Sequence, residues 1–254
     1  MKKLVLAASL ALALGLPAAA QDVTLEALGG GFASDSQIIP VMVNNPGLQG
    51  ATFQSWVALM NPTASRFTVT ATFYDTAGTA TTRTIDLAAG ELKTYTNFVN
   101  TVFGVTGAGA VKLTAPESAG GSHNNRFIVS TEVYTATGGR FGTMVPAQEF
   151  AATASRSFAA GIGVNATTRS NVGCFDQSGE PNTITARVFD ASGAPSSVVT
   201  LALAANAWGQ AAITAPVANG YVRFEPTGAA SCYAVAVDNG TNAGRFIEAV
   251  EYTP

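Results

Sequence analysis

Charge is scarce in this chain. Only 11% of its 254 residues are Asp, Glu, Lys or Arg, against roughly 25% in an ordinary globular protein. Basic charge is scarcest, and Lys2 and Lys3 stand in a leader. Beyond them Lys93 and Lys112 are the only lysines, and eleven basic residues face sixteen acidic ones, a formal charge of −5. That sign disfavours a polyanion partner, so a nucleic-acid binder is not expected. There is one histidine, His123, and there are two cysteines. A metal-rich enzyme is thereby disfavoured. No H-E-x-x-H, G-x-S-x-G, P-loop or C-x-x-C pattern occurs. Ser122 precedes His123 directly, and chain neighbours seldom face each other as nucleophile and base. Sixteen acids leave room for a two-carboxylate hydrolase, but nothing in their spacing pairs them. The chain is therefore expected to be non-enzymatic, with no obligatory cofactor.

The first twenty residues have the form of an export signal. Lys2 and Lys3 give a positive start, Leu4 to Leu16 an apolar stretch, and Ala18-Ala19-Ala20 a small-residue cleavage site. The apolar stretch is shorter than the roughly 20 residues of a membrane span, and none of that length follows it. A protein without a membrane span, released to the periplasm, cell surface or exterior, is expected.

The sequence then repeats itself. Ala71 to Gly78 (ATFYDTAG) matches Ala186 to Gly193 (ARVFDASG), an offset of 115. At that offset Thr81 to Tyr95 lies over Ser196 to Gln210, and Trp56 to Pro62 over Asn171 to Gln177. With small changes of offset, Gly109 to Leu113 meets Gly220 to Phe224, and Gly139-Arg140-Phe141 meets Gly244-Arg245-Phe246. Both copies alternate with period two. Phe67, Val69, Ala71 and Phe73 take one side while Thr68, Thr70, Thr72 and Tyr74 take the other, and Ile184, Ala186 and Val188 repeat the pattern. Turn signals separate the strands, as in Asp75-Thr76-Ala77-Gly78 and Asp190-Ala191-Ser192-Gly193. This predicts an all-β protein of two tandem immunoglobulin-like β-sandwiches. The expected boundaries are a leader at 1–20, an extension and linker at 21–37, and sandwiches at 38–150 and 151–254.

In that arrangement Cys174 and Cys232 fall on the second and sixth strands of a seven-strand unit, where a disulfide between the two sheets belongs. The repeat sets Leu59 over Cys174 and Val129 over Cys232, an apolar pair at the equivalent site. The loop after the second strand, with Asp176, Ser178 and Glu180, is expected beside the loop after the sixth, with Asp238, Asn239, Thr241 and Asn242. Asp176, Glu180, Asp238, Asn239 and Asn242 would then form a candidate Ca²⁺ site, since a hard cation takes six to eight oxygens. The alternative is that these residues, like Asp75 and Asp190, cap their own turns.

Arg140 and Arg245 recur between Gly and Phe at the start of each last strand, which suggests a repeated structural role or a ligand contact. Trp56 and Trp208 fall on the polar phase of their strands, suited to sugar stacking or interface packing. Tyr233, Val235 and Val237 form an outward apolar stripe that a sister domain or another subunit would cover. Asp22 to Leu28 alternates ahead of Gly29-Gly30-Gly31, as a short strand on a hinge would, and could pair with its own sheet or a neighbour's.

The two units resemble tandem immunoglobulin-like repeats of secreted proteins from environmental bacteria. The likeness rests on Trp56 ahead of Asn61-Pro62, on Leu87 with Gly90, and on Phe103-Gly104 followed by Gly107, Gly109 and Val111. The second unit departs from it, with Asn171 for the Trp, Asp176-Gln177 for Asn-Pro, and no Phe-Gly. The resemblance implies a fold and an exported location, and carries over no catalytic residue. The expected function is structural or adhesive outside the cell, with self-association. The alternative is a binding module for a glycan or protein, with Ca²⁺ in the second unit.

Overall fold

The computed structural model describes residues 33–47, 50–116, 125–135, 141–151 and 153–252. The leader, the 22–31 stretch, Ser122, His123 and Arg140 lie outside the described residues.

The alternation becomes strand after strand. The first half holds β1 (Ser36–Pro46), β2 (Thr52–Met60), β3 (Phe67–Tyr74), β4 (Ala80–Leu87), β5 (Leu92–Tyr95), β6 (Gly107–Thr114), β7 (Ile128–Thr135) and β8 (Phe141–Met144), with one π-helical turn at Val99–Phe103. The second half holds β9 (Ser157–Val164), β10 (Thr168–Asp176), β11 (Asn182–Asp190), β12 (Pro195–Leu203), β13 (Trp208–Ala212), β14 (Val217–Pro226), β15 (Ala230–Asp238), β16 (Gly244–Glu248) and β17 (Val250–Glu251). In β3 every second residue, Phe67, Val69, Ala71 and Phe73, is buried, as period two requires of a strand with one face on a core. Among the described residues no helix is long and apolar enough to cross a membrane.

All ladders are antiparallel. In the first half the order is β4-β3-β6-β1-β2-β7-β8, with β5 on the free side of β2. β1 pairs with β6 along most of its length and with β2 from Asn44 onward, so one strand belongs to both walls of the sandwich. In the second half the walls are separate sheets, β12-β11-β14-β9-β17 and β13-β10-β15-β16. Otherwise the two pairing schemes coincide. The pairs β1/β6, β2/β5, β2/β7, β3/β4, β3/β6 and β7/β8 have counterparts β9/β14, β10/β13, β10/β15, β11/β12, β11/β14 and β15/β16.

This order departs from the immunoglobulin one, in which the strands carrying the bridge lie in facing sheets. Here the second strand of each half lies beside the seventh, within one sheet. The Cys174–Cys232 disulfide forms as expected, but it joins directly opposed residues of β10 and β15, with Cα atoms 4.1 Å apart. It is a rung of one sheet and does not link two. Leu59 and Val129 occupy the same rung between β2 and β7, and both are buried.

Within the stretch matched at an offset of 115, the match slips by one residue in β12. Ile85 and Leu87 of β4 face the first core, and the corresponding buried residues of β12 are Leu201 and Leu203, one position later than an offset of 115 gives. The register of β11 on β12 slips between Val188 and Phe189. One extra residue there flips every later side chain to the opposite face, and the bulge restores the apolar phase.

The halves are joined by the outer face of the β13-β10-β15-β16 sheet. Phe175, Trp208 and Tyr233 point away from their own core and belong to the apolar cluster of the first half, with Val235 and Phe246 packed against it. Tyr74 meets Phe175 at 5.4 Å between ring centroids. Hydrogen bonds cross the junction from the Trp208 amide to the Asp75 carbonyl (3.1 Å) and from the Phe246 amide to the Thr143 hydroxyl (2.8 Å), and Gln148 bonds the side chain of Glu248. Gly78, at φ 79°, lies against the carbonyl of Ala205, where an added Cβ would come within 2.2 Å of the oxygen. Tyr233 and Val235 of the expected stripe are therefore packed against the first half, within the chain itself, and Val237 is buried beside the cleft between the halves.

Candidate functional site

The loop carboxylates come first because the expected cation site depends on them. Asp176 ends β10 and is fully buried. Its oxygens accept from the Ser178 amide and hydroxyl, the Gly179 amide, the Asn182 side-chain amide and the Asn206 amide. The carboxylate thus ties the β10–β11 loop, the start of β11 and the β12–β13 loop together. Asp238 ends β15, is exposed, and accepts from the amides of Gly240 and Thr241 and from the Thr241 hydroxyl. These bonds, the Thr241 amide foremost, hold its carboxyl below the usual range. Because β10 and β15 are antiparallel, Asp176 pairs with Ala230 and Asp238 with Thr168, eight positions apart on one ladder. At about 3.3 Å per residue the two carboxylates stand some 26 Å apart. Glu180 is exposed in the loop beside Asp176, whereas Asn239 and Asn242 belong with Asp238. The five residues expected to share one Ca²⁺ thus lie at opposite ends of the sheet, and among the described residues no cluster of three His, Cys, Asp or Glu forms. Placing the bridging strands in one sheet reverses the direction of one relative to the other, which separates the loops.

Asp75 and Asp190 cap turns as their sequence suggests. Asp75 accepts from the Ala77 and Thr79 amides, and Asp190 from the Ser192 amide and hydroxyl and the Ala194 amide. The Ser192 hydroxyl bond leads the causes that lower the Asp190 carboxyl. Glu225 is lowered mainly by the Arg187 hydrogen bond, with Arg223 and Arg156 adding Coulombic support. Asp86 is lowered by bonds from Thr68 and Arg66. A carboxyl lowered in the folded state contributes stability above its ordinary value, near 4, which is lost as pH falls through the lower folded value. The melting temperature is expected to hold from neutrality to about pH 5 and to fall below about pH 4. Melts between pH 7 and pH 2.5 check this, and a rise on acidification contradicts it.

The tryptophans part company. Trp208 is buried at the junction and donates its indole N–H to the Tyr233 hydroxyl (3.1 Å), which donates to Oε1 of Gln210 (3.0 Å). Burial pushes the Tyr233 phenol far up, against the opposing Trp208 bond, so it stays a donor. Trp208 takes the packing role and offers no exposed indole. Trp56 is half-buried on β2, opposite Glu132. Arg245 reaches across the sandwich edge to the Gly161 carbonyl of β9.

Sequence reasoning missed Arg169, Asn171 and Gln210. They share the outer face of the β13-β10-β15-β16 sheet with Val235 and Val237, because Asn171 is opposite both Ala212 and Val235, and Arg169 opposite Val237. Arg169 donates to Oδ1 of Asn239 (3.0 Å) and of Asn242 (2.8 Å). The signal was the out-of-phase polar pair in the strand T-R-S-N-V-G-C-F-D. It had no partner in the sequence, because what faces it comes from the other half. Between this face and the first half lies a cleft of about 810 Å³. Val43, Phe53, Val105 and Val133 line one wall, and Arg169, Asn171, Gln210, Val235 and Phe246 the other.

No family model matches the chain. No curated protein matches it either. Among solved structures, the crystal structure of the PBSX exported protein XepA is similar at 10% identity, covering 80% of this chain and 87% of that one, with a TM-score of 0.25. At that score the similarity carries no argument about fold or function.

Proposed function

We propose that this is an exported, non-enzymatic protein of two duplicated β-sandwich units, with a structural or adhesive role outside the cytoplasm and a capacity to self-associate. The observation that carries the reading is the open edge at β12. Nine residues, Pro195 to Leu203, pair with β11 on one side and, among the described residues, with no strand on the other. None of the nine is charged, and Val198 is 54% exposed. Proteins that must stay apart blunt such edges with charge. The counterpart edge of the first half, β4, does so with Arg83 and Asp86. An uncharged β-branched edge is a template for another strand, either β12 of a second copy or the alternating 22–28 stretch. Light scattering over a range of concentrations tests this. The mature chain is expected to form assemblies, and Val198→Lys with Thr200→Lys is expected to abolish them at unchanged melting temperature. Deleting residues 22–31 separates the two donors. Monomers at every concentration for the unmodified chain would refute the reading.

The cleft between the halves favours a second reading, a binding module. The glycan or protein ligand expected from the loop ends has less support than a small ligand at the junction, because the loop carboxylates are consumed by their own turns.

A further inference from the structure

We propose that the interdomain cleft binds a monoanionic amphiphile, a carboxylate head on an aliphatic or aromatic body. This rests on the binding-module reading and is independent of assembly through β12. The volume of about 810 Å³ lies in the range of small-ligand pockets, which favour domain junctions. Val43, Phe53, Val105 and Val133 on one wall and Val235 and Phe246 on the other are half-buried. Two rigid units meet here with apolar surface left open between them, which a core would have closed.

The head group is assigned by the polar side of the same cleft. Among the described residues no carboxylate stands in ion-pair contact with Arg169. Its two Nη atoms rest on the neutral amide oxygens of Asn239 and Asn242, so the guanidinium is positioned while its charge is left unmatched at contact range. The exposed Asp238 acts on it only Coulombically. Asn171, two residues along the same strand face, makes no side-chain hydrogen bond among the described residues. Gln210 has its oxygen occupied by the Tyr233 hydroxyl, and its Nε2 makes no hydrogen bond among the described residues. A cation and two amide donors on one sheet face call for an acceptor with negative charge. Asp75 lines the opposite side with Oδ1 committed to its own turn, and it disfavours a second anionic group. A sugar would find too few polar partners on these valine walls. A cation would meet Arg169.

Calorimetric titration of the mature chain with decanoate, below its micelle concentration, tests the proposal, with decanol and decyltrimethylammonium as uncharged and cationic controls. One decanoate per chain is expected, with decanol at least tenfold weaker and the cation not bound. Arg169→Gln is expected to bring decanoate down to the decanol level. Since Arg169 also holds the Asn239 loop, Asn171→Leu, which breaks no side-chain hydrogen bond among the described residues, is the second variant and is expected to weaken decanoate several-fold with the melting temperature kept. Val133→Trp, which fills the cleft, is expected to abolish binding of both ligands. Equal affinity for decanoate and decanol would overturn the anionic assignment while leaving a ligand cleft. No binding of either, or binding untouched by Val133→Trp, would overturn the cleft itself.

Discussion

Replacing Cys174 and Cys232 together by serine is expected to lower stability by about 4 kcal/mol, the chain-entropy value for a loop of this length. The separation is 58 residues, and the bridge is a rung of one sheet, so its loss frees the whole segment from β10 to β15 in the unfolded chain. For a protein of this size the melting temperature is expected to fall by about 10 °C. The serine pair adds two hydroxyls to a site where Cys174 is 0% and Cys232 4% exposed. Cys174→Leu with Cys232→Val copies the Leu59–Val129 rung of the first half and is expected to recover part of the loss. Urea unfolding of the three proteins measures this. A serine variant within about 1 kcal/mol of the parent would mean that sheet pairing alone fixes this rung.

Asp176→Ala is expected to cost about 3–5 kcal/mol, because it strips the acceptor from several buried donors, each worth about 1–3 kcal/mol when left unsatisfied. Five donors converge on this carboxylate, from Ser178, Gly179, Asn182 and Asn206, and the side chain is fully buried. Asn61 holds the equivalent position in the first half, with its oxygen in the same role and a donor in place of the second oxygen. Its Nδ2 donates to the carbonyls of Ser65, Leu87 and Ala88, while Oδ1 accepts from the Thr63 amide and hydroxyl. The exchange variants Asp176→Asn and Asn61→Asp should therefore both destabilise, by about 2 kcal/mol each, since each sets a donor against donors or an acceptor against acceptors. Thermal melts and urea titrations read out both. Millimolar Ca²⁺ is expected to leave the melting temperature of the parent unchanged, because the Asp176 oxygens are occupied. A calcium-dependent rise removed by Asp176→Ala would refute this account.

The strands were legible because burial on one face writes itself as alternation. Phe67 to Tyr74 and Ile184 to Val188 needed no partner to be read. The equivalence of Leu59 and Val129 with Cys174 and Cys232 was legible for the same reason, since a repeated rung must be filled by something apolar in both copies. The cleft was not. Arg169 and Asn171 looked like ordinary outward residues of a strand, and Tyr233, Val235 and Val237 like an apolar stripe in search of a cover. Their neighbours, Val43 and Val133, lie on strands of the other half, Val43 more than a hundred positions away in the chain.

The sequence by itself determined the all-β class, the repeat, the pairing of the two cysteines and the turn-capping aspartates, all of which depend on residues close in the chain or matched by the repeat. Only the tertiary structure decided which strands are neighbours. Alternation fixes the face of a strand and leaves its place in the sheet open, so placing the second strand beside the seventh turned an expected inter-sheet bridge into a rung. The same placement set Asp176 and Asp238 at opposite ends of an antiparallel ladder. It also laid the outer face of that sheet on the first half, where packing between distant strands created a cleft that no local pattern encodes.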